Sequence, residues 1–212
     1  MRTGSSVWRC LSFSCALLVT GCASAELQNE TSGPSVVTAE LRRILEADQT
    51  EPAPVNVPAD SAERVAFFTA LWNKHFKPRH DRVVEMISSG LLRTAEDYFI
   101  AGMILNHGIT AEDNLVAHAL LTIAAFKGHP DGRWGSAAAL DNYLAMIGRP
   151  QLFGTVHGEG RQVMGAPMTD ALRREFCVPS VAKQEVLASY LRQGRRGAFD
   201  REKVACAAEV GK

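Results

Sequence analysis

What the chain lacks narrows its function first. Its 23 Lys and Arg are matched by 23 Asp and Glu, so it has no net charge at pH 7. The two signs are interspersed. Neither a basic stripe nor aromatic–basic interleaving appears, which speaks against nucleic acid as a partner. Beyond residue 22 no apolar run is long enough to cross a hydrocarbon layer of about 30 Å. There is no C-x-x-C spacing, no H-E-x-x-H and no helix with two His at metal-ligand spacing. A G-x-S-x-G elbow is missing as well, and Gly158-Glu159-Gly160 lacks the strand-then-helix setting of a phosphate-binding loop. No catalytic residue, metal or cofactor can therefore be assigned from a motif.

The first residues carry the clearest signal. Arg2 and Arg9 precede the apolar stretch 10–20, which is too short to span a bilayer and has the layout of an export signal. Val19-Thr20-Gly21-Cys22 resembles the bacterial lipobox, in which the Cys becomes the acylated N-terminus, carrying diacylglycerol and a palmitate-type chain. With Ala23 next, that resemblance implies an outer-membrane anchor facing the periplasm. The alternative is ordinary cleavage at Ala23-Ser24-Ala25, giving a soluble periplasmic or secreted protein. Both place the mature chain outside the cytoplasm. Of five cysteines, Cys10, Cys15 and Cys22 belong to this region. Cys177 and Cys206 remain in an oxidising compartment, where such a pair is expected to form a disulfide.

The expected organisation is a signal peptide at 1–21, a flexible tether at 22–59 with a short helix near 37–47, a helical domain at 60–193 and a C-terminal tail at 194–212. The tether is rich in Pro, Ser, Thr and acidic residues and cannot bury enough apolar surface to fold by itself. Asp60 and Glu63 suggest a capping box, opening a helix whose Val65, Phe68, Leu71 and Trp72 share one face. Pro78 is expected to end that helix near Phe76, and a second runs to Gly90. Thr94 caps a third, apolar nearly all round and so central. A fourth starts at Thr110, with Leu115, Val116, Ala119, Ile123 and Phe126 as its apolar face. A fifth has Pro130 in its first turn and stops at Gly148. The segments at 151–165 read as a small β-hairpin, and helices follow at 168–176 and 181–192. The fold class is mainly α: a compact array of antiparallel helical hairpins, similar in packing to tetratricopeptide arrays.

Three ordered stretches carry a further resemblance. Asn106-His107-Gly108, then Leu140-Asp141-Asn142 and Gly148-x-x-Gln151-x-Phe153-Gly154-Thr155, resemble the Q-H-A-D, L-x-D-R and G-x-x-Q-x-Y-G-T-Q signatures of an uncharacterised bacterial domain family. Here Asn106, Asn142 and Phe153 stand where the family has Gln, Arg and Tyr. The resemblance spans about residues 60–192 and implies a fold but no reaction.

The candidate binding residues are His107, Asp141, Gln151 and Thr155. His107 ends a helix, where it opposes the helix dipole or acts as a titratable group. Asp141 shares a face with Trp134, Ala138 and Ala145, so its carboxylate needs hydrogen-bond donors. If the helices alternate in direction, His107 and the turn at Gly148–Gln151 fall at one end of the bundle, close to Asp141. His118, His129, His75 and His80 read as packed or turn residues. The expected function is an envelope lipoprotein with a non-enzymatic helical domain for a protein or peptide partner. The alternative is a small hydrolase or ligand-binding protein using His107, Asp141 and Gln151.

Overall fold

The computed structural model describes residues 35–50, 62–156, 163 and 168–184. The expected signal peptide, Cys22, the Asp60 cap, Cys206 and the tail lie outside these residues. The described part is mainly helical: α1 (Val36–Gln49), α2 (Ala62–Leu71), α3 (Lys77–Ser88), α4 (Ala95–Asn106), α5 (Ala111–Phe126), α6 (Gly132–Met146) and α7 (Asp170–Glu175).

Local chemistry sets most of the helix boundaries. Thr94 and Thr110 each accept the amide of the Asp three residues on, and Asp97 and Asp113 reach back to the cap amides. These reciprocal boxes satisfy donors that a helix start leaves orphaned. At the other ends Gly90, Gly128 and Gly148 adopt left-handed backbone, with φ of 61°, 91° and 69°. Behind each, the next amide returns to a carbonyl five residues earlier: Leu91 to Met86, His129 to Ala124 and Arg149 to Leu144. This is the Schellman closure, and it needs a residue without a Cβ penalty.

The expected break before Pro78 does not occur. Trp72–Phe76 forms a π-helical turn that leads straight into α3, with Pro78 in the first turn of α3. A π turn widens the helix by one residue just before Pro78, where the ring and missing N–H of a proline would otherwise disrupt a regular i to i−4 ladder. The apolar face expected on α2 also differs, since Val65 and Phe68 are exposed.

α4, α5 and α6 form the centre. α4 has no exposed residue, as its all-round apolar sequence implies. Asp113 packs at Gly108 and Leu121 at Gly102, so α4 and α5 run antiparallel; Ala125 at Gly132 and Leu121 at Gly135 show the same for α5 and α6. Leu121 fills a slot between two glycines: a Cβ on Gly102 would lie 2.6 Å from its Cγ, and one on Gly135 2.9 Å from its Cδ2. At Gly132 a Cβ would lie 2.5 Å from the Ala125 amide nitrogen, against backbone that cannot give way. Small residues here set the helix separation.

That close packing selects the buried face of α5. Ala117, Leu120, Leu121 and Ala124 face inward. The periodic set Leu115, Val116, Ile123 and Phe126, expected to be the buried face, is instead 45%, 43%, 37% and 87% exposed. α5 is apolar on two sides, and the side with two alanines fits between glycine-bearing neighbours.

The short helix expected within the tether is α1, and it belongs to the folded unit, which begins at Pro34. Leu41 is fully buried in the main core. Thr38 donates to Asp97 at 2.6 Å, Arg42 makes a forked pair with Glu96, and Arg82 of α3 pairs with Glu40 at 2.7 Å. Burial pushes the Asp97 carboxyl up, but hydrogen bonds from the Thr38 hydroxyl and the Thr94 and Arg93 amides outweigh it and hold the carboxyl below its usual 3.8. A depressed carboxyl stabilises the fold above the unfolded pKa, and that contribution is lost as pH falls through the folded value. Asp97→Asn should therefore cost about 1–3 kcal/mol at neutral pH and lose less on acidification below 3.8 than the parent. Urea unfolding at several pH values checks this; equal acid sensitivity of the two proteins would contradict it.

Candidate functional site

The strongest polar constellation is built on Asp141, fully buried on α6. After Gly148 turns the chain out of α6, residues 151–156 fold back over that carboxylate. Oδ1 accepts the amides of Leu152 at 2.7 Å and Phe153 at 2.9 Å. Oδ2 accepts the Thr155 amide and the Thr155 hydroxyl, each at 2.8 Å. A carboxylate offers about four lone-pair sites. All four are used, by neutral donors, which offsets the cost of burying the charge.

Gln151 completes the loop. Its Nε2 donates to the Val156 carbonyl and its Oε1 accepts the Val156 amide, both at 2.8 Å. The Phe153 carbonyl accepts from Arg173 Nε at 3.2 Å and Gln184 Nε2 at 2.9 Å. Arg173 also donates to the Met168 carbonyl at 2.8 Å. Phe153 packs in a second small core with Ala137 and Val178. Gly154 has φ of 85°, and a Cβ there would meet Gln184 Oε1 and Val163.

The expected hairpin takes a different form where it is described. Its first arm is this loop, and no strand lies there, because the amides a ladder would use are spent on Asp141. A single bridge of parallel sense joins Gln151 to Val163. Residues 157–162 and 164–167 lie outside the described set.

Of the four candidates, Asp141, Thr155 and Gln151 share one structural unit. His107 is placed otherwise: it is the C-cap of α4, and its Nδ1 lies 2.6 Å from Asp48 of α1. The parallel course of α4 and α6 is nevertheless marked beside it, since Asn142 donates to Asn106 at 3.0 Å. Asp48, Arg173 and Gln184 were missed in the sequence. Each is polar and buried through contacts distant in sequence, and no local spacing announces such contacts.

The remaining described histidines are also engaged. His118 Nδ1 lies 2.9 Å from the Ser136 carbonyl, and His80 Nε2 lies 2.8 Å from Asp113. His129 stacks on Phe99 at 3.8 Å, and its Nδ1 accepts the Asp131 amide. Burial pushes that imidazole down, against the carboxylates of Asp131 and Glu96. Among the described residues no group of three or more His, Cys, Asp or Glu could hold a metal ion, and no helix is long and apolar enough to cross a membrane. Set against family models, curated proteins and solved structures, the chain has no match.

The two polar contacts differ in what they hold. Asp141→Asn places an NH2 against donors and should cost roughly 3 kcal/mol, since several buried amides lose their acceptor. His107→Ala, at a side chain 36% exposed, should cost about 1 kcal/mol. Thermal unfolding of both variants checks the order. A stability of Asp141→Asn equal to the parent would show that the loop does not depend on the carboxylate.

Proposed function

We propose that this chain is an envelope lipoprotein, anchored through Cys22 and presenting a non-enzymatic helical domain that binds a protein or peptide partner. The observation that carries the non-enzymatic reading is the saturation of Asp141: with four donors on four lone-pair sites, its oxygens have no free lone pair to offer a substrate unless the loop opens. The hydrolase alternative would need that carboxylate together with His107 and Gln151. His107 is bonded to Asp48, and both ends of the Gln151 amide are held by Val156. Helical-hairpin packing similar to tetratricopeptide arrays belongs to the same reading, and so does the family resemblance. Two of the three stretches that carry the resemblance, Leu140-Asp141-Asn142 and Gly148–Thr155, meet in one hydrogen-bonded loop, as expected if that part of the signature is structural.

The anchor is supported by the VTGC stretch directly after a short apolar run. Intact-mass analysis of chain isolated from bacterial membranes should find residue 22 as the N-terminus carrying the diacylglyceryl mass. Cys22→Ser should then leave the membrane fraction. An unmodified mature chain beginning at Glu26 would sink the anchor and favour a soluble exported protein.

A Cys177–Cys206 disulfide is part of the proposal. Cys177 occupies a left-handed position at the end of α7, with φ of 57°, a conformation that costs a non-glycine residue about 1–2 kcal/mol. A bridge closing about 30 residues contributes roughly 3–4 kcal/mol in the chain-entropy account, more than the strain. Non-reducing peptide mapping should recover the two cysteines in one linked fragment; both thiols free in exported protein would refute the bridge.

A further inference from the structure

We infer that the outer face of α5 is the contact surface for a second copy of this chain, two α5 helices meeting antiparallel about a two-fold axis level with Ala119. The inference rests on the reading of the domain as an interaction module and not on the lipid anchor. Leu115, Val116, Ala119, Ile123 and Phe126 are all exposed and fall within about a third of the helix circumference, at 100° per residue. Phe126 is the most exposed large apolar side chain described, at 87%. An apolar stripe of this kind on a water-facing helix marks an interaction site.

The stripe is complementary to itself, and that selects the occupant. A two-fold contact brings residue i of one copy to residue j of the other and j to i. An antiparallel two-fold between residues 119 and 120 sets Val116 against Ile123 and brings Leu115 within one helical turn of Phe126, twice each. Ala119 meets its own copy at the crossing, where a small side chain lets helices approach to about 8–10 Å. Glu112 and Lys127 lie at opposite ends of the stripe and are both exposed. The same alignment sets each Glu112 against the other copy's Lys127, forming two ion pairs. Lys127 is held at its end of α5 by the Tyr98 ring, 5.7 Å from its ammonium. Antiparallel helices also oppose their dipoles favourably. A lipid surface fits less well, because such faces are flanked by several Lys or Arg, and this stripe has Glu112 at one end.

Sedimentation velocity on the purified full chain carrying Cys22→Ser, which removes the acyl site so that no micelle contributes, tests the inference. The expected result is a concentration-dependent dimer. Phe126→Glu should give monomer, and Glu112→Lys or Lys127→Glu alone should each weaken dimerisation several-fold at low salt. Mixing those two charge variants should restore a dimer, now mixed, because every Lys then faces a Glu. Circular dichroism should show unchanged helix content in all variants, since each substituted side chain is on the surface. A chain that stays monomeric at every concentration overturns the inference, including the case in which it captures a different protein. So does a dimer indifferent to these substitutions. Neither result touches the anchoring test at Cys22.

Discussion

The Asp141 carboxylate is buried in the middle of α6, and no helical amide is available to it there. It needs donors from elsewhere, and the chain that has just left α6 supplies them. Gly148 turns the chain back, and the amides of Leu152, Phe153 and Thr155 with the Thr155 hydroxyl converge on the two oxygens. That convergence fixes the direction of the following residues. It points the Phe153 carbonyl at Arg173 and Gln184, and through them it ties α7 and the turn beyond it to the helical centre. The second core of Ala137, Phe153 and Val178 closes over the same loop. A charge that would be costly by itself thus becomes the organiser of the C-terminal half, because every lone pair has a partner.

The helical centre obeys a different constraint, that of volume. Gly102, Gly132 and Gly135 leave no room for a Cβ between α5 and its neighbours. Leu121 occupies the slot that two of these glycines vacate. The consequence reaches the surface. With its alanine-rich side committed to the seam, α5 must turn its larger apolar residues to solvent, and they line up as one stripe. Interior packing and the exposed face are two sides of one choice.

The N-terminal helix is fastened by polar contacts around a small apolar centre. Leu41 enters the core, while Thr38, Glu40, Arg42 and Asp48 reach Asp97, Arg82, Glu96 and His107 on α3 and α4. Exposed pairs such as Arg42–Glu96 are worth little each. The buried Thr38–Asp97 contact matters more, since Asp97 also completes the α4 capping box. One carboxylate therefore couples the start of α4 to the docking of α1.

The sequence by itself determined what depends on neighbours in the chain. Thr94 and Thr110 start helices because an Asp follows three residues on, and Gly90, Gly128 and Gly148 end them because only glycine takes left-handed backbone without cost. The need for donors at Asp141 was legible too, since a carboxylate on a face of small and aromatic side chains is costly to bury without them. Only the tertiary structure decided which partners answered. Asp48 for His107, and Arg173 and Gln184 for the Phe153 carbonyl, lie tens of residues from what they bind, and no spacing encodes them. It also decided which apolar side of α5 is inside. Both sides repeat at helical period, so periodicity cannot separate them, and the glycines of α4 and α6 admit only the narrower one. Pro78 marks the same divide: its local preference to break a helix yielded to a π turn once the surrounding chain continued as helix.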